Sequence, residues 1–105
     1  MQAFDVFIAY VPWGGDGKFR PVLVYSQSAD ALLVYPITTQ YSGKSEGVKA
    51  KLFVINDWAA AGLHHPSYAD TGTPLLFSRS AVCDKTPIGR LSNADQARFR
   101  EFLGD

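Results

Sequence analysis

The chain contains one cysteine, Cys83. No intramolecular disulfide can form, and no metal site can be built from paired thiolates. His64 and His65 are the only histidines; as neighbours they cannot readily converge on one ion. Excess charge is also missing, since ten Lys plus Arg balance ten Asp plus Glu. This argues against a protein held to nucleic acid by bulk electrostatics, but not against a local groove with a few cations. No stretch approaches the roughly 18 apolar residues of a membrane span. The opening MQAFDVFIAYVPWGG lacks the basic start and long apolar core of a secretory signal. WGGDGK has a lysine but neither the spacing nor the following Ser/Thr of a phosphate-binding loop. No nucleophile elbow supports a Ser-His-Asp triad. The expectation is a cytoplasmic protein with no membrane partner, no metal and no cofactor.

Apolar residues make up 47% of the 105 positions and aromatics 13%. That suffices for one compact core, and the chain reads as a single domain over 1–105. FDVFIAYV, residues 4–11, is β-branched and aromatic with partial alternation, a strand. PWGGDGK reads as loop or turn. RPVLVYS (20–26) and ALLVYP (31–36) are strands joined by a short polar turn, a hairpin. Pro21 confines itself to a strand start or an edge. TTQYSGKSEG is a polar loop and VKAKLFVI (48–55) a fourth strand. Asn56 and Asp57 offer caps for a short helix stopped at Gly62. HHPSYADTGTP reads as irregular. Residues 75–77 are a short strand or a helical turn, and 88–91 a last strand or connector. In LSNADQARFREFLGD, Ser92 caps a helix with Asp95 as the capping-box acid, and Gly104 ends it. Phe99, Phe102 and Leu103 fall on one stripe. The sum is a mostly antiparallel sheet of four to six strands with a C-terminal helix, a small barrel rather than an α/β layer.

The hairpin brings Arg20 and Thr38 to the same end. Guanidinium stays charged and matches a phosphate bidentately. Thr38 and Thr39 stand where a strand opens into a polar loop, a place their β propensity alone would explain. By spacing alone, a solvated arginine and strand-end threonines are the better account of the pattern.

The stretch DVFIAYVPWGGDGKFRPVLVYS resembles the opening of MazF/PemK toxins, where a Gly- and Lys-containing loop precedes an Arg-Pro pair and a Val/Leu strand. PITTQYSGK resembles their Thr-x-Gln segment, GLHHPSYAD the segment with a Pro-Ser pair before an acid, and IGRLSNADQARFREFL the closing Ile-Gly-x-Leu and helix. The resemblance covers nearly the whole chain in order. It implies an SH3-like barrel of the MazF/PemK/CcdB type with a C-terminal helix, commonly a homodimer. It further implies a metal-independent endoribonuclease acting on single-stranded RNA, with a cognate antitoxin as partner. The family's catalytic arginine and threonine fall on Arg20 and Thr38, and its acidic residue on Asp70. His64 and His65 are possible bases, imidazole being suited to proton transfer near neutrality. Trp13, Phe19 and Tyr41 flank the pair as stacking surfaces; Lys18 and Lys44 add charge, and Thr39 and Gln40 complete the expected RNA-binding set. The stretch 71–87 departs from the family pattern, which bears on Asp70 and on the cleavage sequence. Two other readings stand beside this one: a toxin of the same barrel acting on a protein, as CcdB-type gyrase poisons do, and an SH3-like module without catalysis.

Overall fold

The computed structural model describes residues 1–13, 15–82 and 85–104, apart from the side chains of Trp13 and Asp16. In chain order the elements are β1 (Asp5–Trp13), β2 (Asp16–Gln27), β3 (Ala31–Thr38), α1 (Glu46–Lys49), β4 (Leu52–Ile55), β5 (Ser67–Asp70), β6 (Leu75–Ser78), α2 (Arg79–Val82), β7 (Gly89–Arg90) and α3 (Asn93–Leu103). Seven strands pair antiparallel in the order β4-β5-β3-β2-β1-β7, with β6 also on β3. The expected count of four to six strands was short.

The centre of the sheet is buried on both faces. Phe4, Val6, Leu23, Tyr35, Ile37 and Phe53 pack towards α3, while Phe7, Val22, Val24, Leu32 and Val34 pack on the other side with Val82 of α2. This explains the near-continuous apolar runs PVLVY and ALLVY, which lack the alternation of a half-exposed strand. Phe99 of α3 is fully buried, its ring against those of Phe4, Tyr25, Tyr35 and Phe53. The Ser92 side chain accepts from the Asp95 amide and Gly104 closes α3 in the left-handed conformation, φ +83°. The Asp95 carboxylate does not return to the cap. It accepts from the Asp57 amide at 2.8 Å and pairs with Arg98 at 2.6 Å.

Four local expectations change. PWGGDGK is mostly strand: β1 and β2 pair out to Trp13 and Asp16, and Gly15 takes the positive φ of a tight turn. The fourth strand starts only at Leu52, because Ser45 caps one helical turn over residues 46–49. Residues 56–62 form successive turns rather than a helix. Asp57, the expected cap, instead accepts from the Ser92 hydroxyl at 2.6 Å. Within the segment read as irregular, Ser67–Asp70 is a strand. Its inward Ser67 satisfies itself by donating to the His65 carbonyl at 2.7 Å, which hides the alternation.

Two glycines bring the turn after β4 against β7. A Cβ on Gly62 (φ +83°) would lie 2.1 Å from the Ile88 carbonyl oxygen, and one on Gly89 would lie 2.2 Å from that of Ala61. The turn after β4 therefore packs backbone to backbone against β7, an approach open only to residues without a Cβ.

Candidate functional site

The ladder between β2 and β3 runs from Gln27–Leu32 to Val22–Pro36 and stops. Beyond that point β2 pairs only with β1, while β3 turns to β5 through Ile37 and Thr38. Pro21 and Pro36, neither with an N–H to donate, stand at this fork. Pro21 thus sits mid-strand, where β2 becomes an edge.

A cleft of about 610 Å³ fills the fork. Residues Gly17, Lys18, Phe19, Arg20 and Pro21 form one side, and Ile37, Thr38, Thr39, Gln40 and Lys44 the other. The hairpin geometry therefore brings Arg20 and Thr38 to one cavity. Lys18, Phe19, Thr39, Gln40 and Lys44 join them there. The lining holds three cations and no acid among the described residues, although the chain as a whole is neutral. Balanced composition is thus compatible with a strongly positive local field. Thr38 Oγ1 accepts from the Gln40 amide at 3.1 Å, which orients the hydroxyl and leaves its hydrogen to donate.

Tyr41 lies beside the cleft rather than in its lining. Its ring stacks on that of Tyr68 at 4.8 Å and 22°, and Lys49 Nζ stands 5.1 Å from its centroid. Tyr68 is the direct cross-strand partner of Thr38. The stack ties the loop after β3 back to the sheet, which holds Thr39–Lys44 over the cleft. Tyr68 was missed because its segment reads as irregular.

Asp70 ends β5, two residues from Tyr68 and outside the lining. Its oxygens accept from the Gly72 amide at 2.9 Å and the Thr73 hydroxyl at 3.0 Å, fastening the turn that follows. His64 and His65 are exposed before β5 and also lie outside the lining. The Trp13 side chain lies outside the described residues.

The sequence matches no protein-family model and no curated protein. Solved structures do match. One is the Mycobacterium tuberculosis toxin MazF-mt6, with a TM-score of 0.69 and 25% identity over 95% of this chain and 92% of that one. Another is an Mtb toxin, with a TM-score of 0.60 and 26% identity over 81% of this chain and 89% of that one. The chain is thus similar to MazF toxins over most of its length. Its mostly antiparallel curled sheet with a C-terminal helix is the architecture that the resemblance implied. The stretch 71–87, which departs from the pattern of the resemblance, lies away from the fork. That stretch supplies β6 and α2, on the far end of β3 from the cleft. Among the described residues, no helix is long and apolar enough to cross a membrane.

Proposed function

We propose that this toxin is an endoribonuclease that cleaves single-stranded RNA in the fork between β2 and β3. The observation that carries the reading is the cleft lining, in which Arg20 and Thr38 share one cavity with Lys18 and Lys44 and, among the described residues, no acid. Such a lining suits a phosphodiester. RNA brings its own nucleophile, so the protein needs neither a reactive serine nor a metal-activated water. The 2′-oxygen bonds to phosphorus, the bond to the 5′-oxygen breaks, and a 2′,3′-cyclic phosphate and a 5′-hydroxyl result. Arg20 offsets the charge that grows on the non-bridging oxygens. Thr38 donates to one of them from a hydroxyl already held by Gln40. With His64 and His65 outside the lining, the 2′-proton passes to water in the open cleft, and a proton returns from water to the departing 5′-oxygen. Asp70, with both oxygens engaged in its turn, supports β5 beside Thr38. Lys18, Lys44, Thr39 and Gln40 position the strand, with Phe19 under a base. A cognate antitoxin blocks the cleft. A second copy completes a homodimer, for which Leu76, 73% exposed on β6, offers apolar surface.

The test is incubation with a long single-stranded RNA in EDTA, beside Arg20→Ala. Discrete cuts with 5′-hydroxyl ends are expected, slowed about a hundred- to a thousandfold in the variant. Intact RNA with a folded protein that still arrests growth would replace this reading with a protein-directed toxin.

A further inference from the structure

The outer face of the β1–β2 hairpin has a feature that neither core uses. Tyr10 and Phe19 are direct cross-strand partners, 52% and 67% exposed, with ring centroids 5.4 Å apart at 74°. Ile8 and Pro21, the next pair on that face, extend the apolar surface. Phe19 also belongs to the cleft lining, so this surface and the cationic cavity share a border. Strand alternation sends Lys18 and Arg20 to one side of β2 and Phe19 to the other. Residues 18–20 therefore form a rim with positive charge on one side and exposed rings on the other. A nucleotide has the same division, an anionic phosphate on one side of the sugar and an apolar base face on the other.

Gly17 makes room for the ring. A Cβ there would lie 2.5 Å from Tyr10 Oη and 2.6 Å from its Cζ, so the Tyr10 ring lies over the glycine, diagonally across the ladder. With Phe19 packed edge-on against it, the ring already has contacts on the strand surface, which lowers the ordering cost of stacking. Edge-to-face packing leaves a ring face uncovered by the partner.

We propose that Tyr10, supported by Phe19 and Gly17, is the stacking surface for an unpaired base adjoining the phosphate seated between Arg20 and Thr38; the inference rests on the ribonuclease reading. The charge beside the rings selects this occupant, because a purely apolar partner gains nothing from the two cations on the rim, Lys18 and Arg20. The residue is a binding and specificity determinant, and its consequence is a preference for unpaired over duplex RNA at that position, since a base in a duplex has no free face to stack.

The experiment uses a short single strand spanning a mapped cut, with a 2′-deoxy nucleotide at the cut to prevent attack. Binding is measured for wild type, Tyr10→Phe, Tyr10→Leu and Tyr10→Ala. Tyr10→Phe is expected to bind like wild type, and the other two about five- to 150-fold more weakly. Replacing the adjoining base by an abasic site should weaken wild-type binding and abolish the difference between wild type and Tyr10→Ala, the signature of a shared interaction. Unchanged binding by Tyr10→Ala, or a Leu variant equal to Phe, overturns the stacking role. So does a Tyr10→Ala protein that sediments as a different oligomer while binding RNA normally, because the face then joins copies of the chain. A wild type that cuts RNA while Tyr10 is inert sinks only this inference. A wild type that neither binds nor cuts sinks the ribonuclease reading with it.

Discussion

The same two strands, β2 and β3, behave differently at their two ends. From Val22 to Val24 and from Leu32 to Tyr35, β2 and β3 pair with each other and are packed on both faces. Past Val22 and Pro36 they separate, and side chains that would be core partners become the walls of a cleft. At the paired end, identity is dictated by volume and the residues are Val, Leu and Tyr. At the forked end there is little to pack, and the residues are Lys, Arg, Thr and Gln. The strand that is rigid because of its core delivers Arg20 to the cavity without needing a loop to order itself. A site on such an extension gains precision at small entropic cost.

The comparison breaks most strongly at the core. Phe99→Ala empties the centre of an aromatic cluster and should cost about 3–5 kcal/mol, a large share of the roughly 5–15 kcal/mol that holds a domain together. Denaturant unfolding should register that loss, while cleavage per folded molecule stays near wild type. Arg20→Ala should do the reverse, losing cleavage with the unfolding midpoint nearly unmoved. If both variants lost stability and activity together, the division between a packing end and a working end would not hold.

A smaller effect is expected at the seam where the turn after β4 meets β7. Gly89→Ala forces a methyl onto the Ala61 carbonyl, so the backbone must shift. Overpacking of this kind costs about 1–3 kcal/mol. The seam contains none of the cleft lining, so thermal unfolding should move to lower temperature while the affinity for RNA is preserved below the transition.

What the sequence made legible is what is decided locally. Ser92 and Gly104 cap α3 within a few residues of the helix they define, and both were readable. The hairpin of β2 and β3 was readable too, and with it the meeting of Arg20 and Thr38. The failures are decided at long range. Asp57 looked like a cap for the residues after it, but Ser92 and Asp95, more than thirty positions away, take its carboxylate and amide instead. β5 is a strand because β3 and β4 pair with it, and its four residues carry too little alternation to announce this. Tyr10 was passed over because β1 read as ordinary strand, and its outward face gains meaning only from Phe19 across the ladder. Global charge misled in a similar way, since a balanced total says nothing about where the cations gather.

That last point yields the smallest effect and a sharp distinction. If RNA is held by the local cations of the fork, binding should depend on salt although the chain is neutral. Binding to a single strand releases counterions in proportion to the phosphates neutralised, with a slope of about −0.7 per contact in log K against log salt. Lys44 is exposed, lines the cleft and stands on the β3 side of the fork. Lys44→Ala should weaken binding only a few-fold at moderate salt, and should reduce the magnitude of the slope by about 0.7. A charge change of equal size at Arg79, at the packed end of β3 and bonded to Gln27, should leave the slope alone. Equal changes from both substitutions would mean that the RNA responds to the net charge of the protein rather than to the fork.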